Sequence, residues 1–256
     1  MASWHMVKPQ VGSRSMNKVL IIKTGSTFPF LISKRGDFEH WILSGMKIEP
    51  ESALIVDFYS GSPLPGFGGI SGVVISGSHA MITEHLDWSE RTVGWLVEAV
   101  EKQIPILGIC YGHQLLAYAL GGEVGDNPNG CEFGTVEVNL NENARGDKLF
   151  DGFSSPLLAQ VSHTQSVLRL PDNAMLLASS NLDKNQAFVV GNSAWGVQFH
   201  PEFDAEIVIE YINQHREVLL RENKNPDRII ERSFNTHHGS EMLKRFVEIL
   251  PEKISW

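Results

Sequence analysis

The stretch "GICYG" (108–112) sets Cys110 between Gly108 and Gly112, and "FHPE" (199–202) sets His200 two residues before Glu202. A thiol, an imidazole and a carboxylate are the groups that nucleophilic catalysis by cysteine needs: a nucleophile, a base that handles its proton, and a group that orients the base. In the pattern G-x-C-x-G, the small flanking residues permit a sharp strand-to-helix turn. Such a turn lifts the nucleophile out at the carboxyl end of a sheet. A helix that starts there aims its positive end at the sulfur and favours negative charge on it. A small buried structural cysteine fits the same pattern. The second motif separates the two readings. In an extended segment, residues two apart share a side, so Glu202 would hold the imidazole of His200. Pro201 fixes the backbone between them. The two motifs together favour catalysis.

Both motifs need elements to carry them. "KVLIIK" (18–23), "ALIVDFY" (53–59), "GVVISGS" (72–78) and "IPILGIC" (104–110) are short apolar, β-branched runs, expected as strands. "GDFEHWILSGM" (36–46) carries Phe38, Trp41 and Ile42 at helical spacing. "WSERTVGWLVEAVEKQ" (88–103) reads as an amphipathic helix with Ser89 as its N-cap, and "GHQLLAYALGG" (112–122) as a helix stopped by glycine. This alternation predicts an α/β fold: an open, mostly parallel central sheet with helices on both faces. Strands dominate from about 131 to 200: "FGTVEVNL", "LLAQVS", "MLLASS", "QAFVVG" and "AWGVQFH". Helices over 204–220 and 239–250 close the chain. One domain is expected over 16–256. "MASWHMVKPQVGSRS" (1–15) reads as an expression leader, because a second methionine opens "MNKVLIIKTG" behind it.

Bulk properties narrow the chemistry. The 256 residues carry a net charge of −9, which gives no basic footprint for nucleic acid. No apolar run reaches the ~18 residues of a membrane helix, and the opening lacks a signal-peptide core. Cys110 and Cys131 are the only cysteines, too few for a disulfide framework or a four-cysteine zinc site. Their number fits a reducing compartment, the cytoplasm. Ten histidines include no H-E-x-x-H pair; the adjacent His237 and His238 suit capping or solvent. No metal and no cofactor are expected, and no G-x-x-x-x-G-K-[ST] phosphate loop is present.

In their order and wide spacing, "GICYGHQLLAYALGG" and "GVQFHPE" resemble the nucleophile elbow and the histidine–glutamate segment of the class I glutamine amidotransferases. Between them, "VSHTQSVLRLP" (161–171) resembles a segment that in relatives reads close to S-H-x-D-x-V. Within the family the chain looks most like stand-alone, GMP-synthase-like proteins. The resemblance implies the family's flavodoxin-like fold and glutamine as substrate. It implies that Cys110 attacks the side-chain amide, that His200 takes the thiol proton and delivers one to departing ammonia, and that Glu202 orients His200. Water would then hydrolyse the thioester on Cys110. Backbone N–H groups of Tyr111 and of Gly77 or Ser78 would hold the oxyanion. Gln114, with Ser162, His163, Thr164 and Gln165, would contact substrate.

Three departures from the family pattern stand out. "ISGSHAM" puts Ser78 where many relatives have glycine in S-G-G-P. Gln165 stands where they often carry Asp. No ATP-pyrophosphatase or other ammonia-accepting domain lies within these 256 residues, so an acceptor synthase would be a separate partner. A γ-glutamyl peptide or amide hydrolase is therefore the alternative with the same chemistry, and a non-catalytic regulatory module is the alternative from another class. Oligomeric state has no signature in the sequence. Of the remaining candidates, His163 reads as pocket wall rather than a second base. His79 and His113 read as pocket mouth or surface. "MITEHLDW" (81–88) reads as a rim or lid, Trp88 as rim or core, and Cys131 as structural.

Overall fold

Lys18–Lys23 (β1) has no apolar side chain left to solvent: Val19 and Ile21 enter one core, Leu20 and Ile22 a second. Only a strand covered on both faces can do this. The computed structural model describes residues 17–251, and the expected leader at 1–15 lies outside them. The other strands are Ala53–Asp57 (β2), Ile70–Ile75 (β3), Ile106–Ile109 (β4), Glu123–Asp126 (β5), Glu132–Leu140 (β6), Leu157–His163 (β7), Gln165–Arg169 (β8), Ala174–Ser179 (β9), Ala187–Val190 (β10) and Ala194–Val197 (β11). Nine of them form one sheet in the order β2-β1-β3-β4-β11-β10-β9-β6-β7. The first five run parallel and the rest join antiparallel. β5 and β8 pair separately as a short antiparallel ribbon that the sequence did not announce. β5 is only four residues, with no buried position.

The helices are Pro29–Arg35 (α1), Phe38–Met46 (α2), Asp87–Glu101 (α3), Tyr111–Ala119 (α4), Ala205–Gln214 (α5), Arg216–Arg221 (α6), Pro226–Glu231 (α7) and His238–Ile249 (α8). α2, α5 and α8 cover the core of Val19 and Ile21, while α3 and α4 cover that of Leu20 and Ile22. The expected α/β layering, with a central sheet between helices, is therefore present. Among the described residues no helix is long and apolar enough to cross a membrane.

Three local expectations need correction. Ser89 does not cap α3: Leu86 holds that position, and the Ser89 hydroxyl instead meets the Tyr111 hydroxyl at 2.9 Å. The helix expected over 204–220 is two helices. His215 breaks it at φ −105°, ψ 17°, and its Nδ1 bonds the Tyr211 carbonyl at 2.8 Å. His113 lies neither at a pocket mouth nor on the surface. It is wholly buried on α4, 5.0 Å from the Phe188 ring. The backbone of Gly196 and Asn185 lies near its ring, yet neither nitrogen has a partner in hydrogen-bonding geometry.

Burial pushes the His113 imidazole down to about 4. The unfolded chain takes up this proton below about pH 6.5 and the folded chain only near pH 4, so stability falls as pH drops through that window. At full effect the shift is worth roughly 3 kcal/mol. His113→Leu is expected to flatten the loss of thermal stability between pH 6.5 and 4, read as melting temperature against pH. An unchanged slope would mean that other groups drive the acid sensitivity.

Candidate active site

Cys110 carries the strain of the elbow itself, at φ 51° and ψ −101° between β4 and α4. A non-glycine residue there costs on the order of 1–3 kcal/mol and persists only where its surroundings fix it. Its N–H donates to the Val197 carbonyl (2.8 Å), and its carbonyl accepts from Gln114 N–H (3.1 Å). The two glycines have another task. A Cβ on Gly108 would come within 2.4 Å of the Gly112 carbonyl, and one on Gly112 within 2.5 Å of the Ile75 carbonyl. Their bare backbones let α4 sit directly on β3 and β4.

His200 arrives from β11, whose register aligns Gly196 with Gly108 and Val197 with Ile109. Its N–H donates to the Gln160 carbonyl on β7 (2.8 Å), and its Nδ1 donates to Glu202 Oε1 (2.8 Å). This contact comes from a turn, not from the extended segment expected: Phe203 N–H reaches back to the His200 carbonyl at 3.3 Å. A Cβ on Gly239 would meet the Pro201 carbonyl at 2.5 Å, so the start of α8 packs directly on that turn. Phe203 stacks on the His200 ring at 3.9 Å, and Phe38 lies nearly parallel to it at 6.4 Å.

Burial alone would lower the affinity of His200 for a proton. The opposing charges of Glu202 and Cys110 outweigh it and raise the imidazole to about 10. His200 is thus an imidazolium at neutral pH. Nδ1 is committed to Glu202, which leaves Nε2 to face Cys110. Beneath the sulfur, Gln198 Nε2 donates to Sγ at 3.6 Å, and Gln198 Oε1 accepts from Gln114 Nε2 at 3.0 Å. Gln114 Nε2 also donates to the Gln165 carbonyl at 2.9 Å.

The turn after β3 is set by its carbonyls. The Thr24 and Ser76 hydroxyls both reach the Gly77 carbonyl, at 3.1 and 3.0 Å. A trans peptide then turns the Ser78 N–H the opposite way. A Cβ on Gly77 would lie 3.0 Å from His200 Cε1, which sets the turn against the imidazole. The Ser78 hydroxyl accepts from Ala80 N–H at 3.1 Å, within its own loop. Tyr111 begins α4, so its N–H has no acceptor inside the helix.

These groups border a cavity of about 170 Å³. Ser78, Tyr111 and all five expected contacts, Gln114, Ser162, His163, Thr164 and Gln165, lie on its wall with Cys110 and His200; Gly77 stands behind it. His79, Ala80 and Met81 join the wall; of the segment 81–88 only Met81 lines the cavity. Both His163 nitrogens are committed, Nδ1 to the Gln165 carbonyl (3.0 Å) and Nε2 to the buried Glu132 (3.2 Å), which suits a wall and not a base. The Gln165 amide nitrogen donates to Thr83 (2.8 Å) and Asp126 (3.0 Å), and its Oε1 is buried without a partner. Cys131 is buried away from the cavity, and burial pushes its thiol up to about 11. Sequence reasoning missed Thr24, Glu132, Gln198 and the wall residues Phe133, Tyr211, His215 and Val218. Of these only Gln198 belongs to a compact motif, inside "GVQFHPE".

The model of the glutamine amidotransferase class-I family matches residues 64–215. The chain is 36% identical over 186 residues to a glutamine-hydrolyzing GMP synthase subunit from Sulfurisphaera tokodaii, covering 72% of this chain and 89% of that one. The chain belongs to the class I glutamine amidotransferases. This amidotransferase is also 30% identical over 162 residues to gamma-glutamyl peptidase 3 of Arabidopsis thaliana, over 61% of this chain and 64% of the Arabidopsis protein. Its fold is shared with a glutamine amidotransferase from Thermotoga maritima, at a TM-score of 0.71 and 24% identity, covering 91% and 97% of the two chains.

Removing the carboxylate from this amidotransferase tests the electrostatics. Glu202→Gln is expected to lower the pKa of His200 from about 10 and to slow iodoacetamide alkylation of Cys110 at pH 7 by roughly tenfold or more. In the wild type the imidazolium is lost only as pH rises through about 10, so the alkylation profile should change there and not near 6.5. An unaltered profile in the variant would show that Glu202 does not set the charge of His200.

Proposed function

We propose that the chain cleaves the γ-amide bond of glutamine through a thioester on Cys110. The observation that carries this reading is the buried array of Cys110, the His200 imidazolium and Glu202 at the cavity. The Cys110 thiolate adds to the γ-carbonyl carbon. The resulting oxyanion is met by the N–H groups of Ser78 and Tyr111. As the C–N bond breaks, His200 Nε2 gives its proton to the departing ammonia. Neutral His200 then takes a proton from water, which attacks the thioester and releases glutamate. Glu202 holds the ring throughout. Gln114 and Gln165 bind the glutamyl group.

In this reading the ammonia passes to a synthase on a separate chain. That the Sulfurisphaera relative is a subunit of a GMP synthase supports that step. The cytoplasm is the setting that suits a free thiol nucleophile. A second reading keeps the chemistry and enlarges the leaving group, making the chain a γ-glutamyl peptide or amide hydrolase. The likeness to the Arabidopsis peptidase and the apolar part of the cavity favour it. A purely regulatory module would have no use for a buried imidazolium beside a strained cysteine.

Glutamate release from L-glutamine, followed with and without candidate acceptor synthases, is the first measurement. Turnover is expected, and Cys110→Ala should reduce it by about a thousandfold or more. Full activity in that variant, or no release by the wild type while Cys110 is still alkylated, would overturn the reading.

A further inference from the structure

The cavity has two unlike halves. One is polar: Gln114, Thr164 and Gln165 line it, and the Ser162 carbonyl lies 4.0 Å from Cys110 Sγ. The other is built from Phe38, His79, Phe133, Tyr211, His215 and Val218. Two polar groups in this second half are bonded away from the space. The Tyr211 hydroxyl is bonded to the Thr27 hydroxyl at 2.9 Å, and His215 Nδ1 to the Tyr211 carbonyl at 2.8 Å. His79, an exposed residue, lays its ring 4.5 Å from the Phe28 ring and 5.7 Å from the Tyr211 ring, and the partial desolvation of the imidazole there pushes it down to about 4. Among the described residues that border the cavity there is no lysine, arginine or carboxylate. What lines the space is aromatic ring, imidazole and the methyls of Val218.

The position of His200 relates the two halves to a reaction. Its ring lies nearly parallel to Phe38 at the edge of the aromatic half. A proton can pass from His200 only to a scissile nitrogen that faces it. In the thioester reading the glutamyl chain would run from that bond toward Gln114 and Gln165, which would direct whatever the nitrogen carries at the aromatic half. In glutamine it carries two hydrogens, which cover none of this wall.

We propose that the aromatic half is a leaving-group subsite and that the preferred substrates are γ-glutamyl amides of uncharged aromatic or alkyl amines. The inference rests on the thioester reading above and adds its substrate class. The Sγ–C bond forms, the C–N bond breaks, and the amine departs with the proton from His200. Water then cleaves the thioester to glutamate, and no further reactant is needed. A free carboxylate on the amine would find no lysine or arginine in this half, which sets these amides apart from γ-glutamyl amino acids.

The test compares γ-glutamyl-benzylamide, γ-glutamyl-methylamide and glutamine. Both substituted amides release alkyl amines, so the ring is the main difference between them. In the wild type, kcat/KM for the benzylamide should exceed that for the methylamide by roughly tenfold or more, as covering a phenyl ring predicts. Val218→Asp, at a half-buried position, should bring that ratio toward one. Affinities of the Cys110→Ala protein for the same three ligands should follow the same order, and they are read without turnover. A benzylamide advantage absent from both kinetics and binding, with glutamine turned over, would overturn the subsite and leave the thioester reading standing. No turnover of any ligand by an alkylatable wild type would overturn the thioester reading, and the binding order would then judge the subsite alone.

Discussion

Everything at the site depends on one backbone conformation that cysteine does not favour. Cys110 sits at positive φ between a strand buried on both faces and a buried helix. Its strain is held by a bond to Val197 and by the contact of Gly112 with Ile75. A side chain at Gly108 or Gly112 would push α4 off the sheet and release the turn. The parallel half of the sheet then serves as a jig. The ends of β1, β3, β4 and β11 are neighbours, so Thr24, the Gly77–Ser78 turn, Cys110 and His200 meet although they are far apart in the chain.

The second constraint is electrostatic. An imidazolium taken out of water is costly unless opposite charge lies close. At His200 that charge comes from Glu202 on one nitrogen and from the sulfur on the other. Each member of the set therefore fixes the state of its neighbour. The turn that brings Glu202 back to His200 depends in turn on Gly239, where α8 rests on Pro201. An element remote in sequence thereby supports the geometry at the sulfur.

Much of this was legible in the sequence because the motifs are local. The elbow, the H-P-E segment and 162–165 are contiguous stretches, and each lands on the cavity. The β-branched runs also marked the central strands, since a doubly buried strand has little freedom in composition. What was not legible depends on tertiary contact. His113 reads as an ordinary polar residue of an amphipathic helix, and only the approach of Gly196 and Phe188 buries it. The break at His215 overrides a helical pattern that runs from 204 to 220. Phe133, Tyr211, His215 and Val218 are scattered over separate elements and carry no spacing that would group them. Thr24 acts through a carbonyl 53 residues away.

The same division separates two kinds of specificity. The residues proposed to handle the glutamyl group and the bond to be broken come from compact motifs, because such chemistry demands fixed distances to one sulfur. The wall opposite is assembled from scattered apolar and aromatic side chains. Its requirement is only shape and dryness, which many sequences can meet. Such a wall can change its occupant without disturbing the triad, since Tyr211 and His215 bond to Thr27 and to backbone and not to Cys110 or His200. A fold built this way can keep one reaction and change the amine it releases. In the proposed reading, the identity of that amine is written in the half of the cavity that carries no motif.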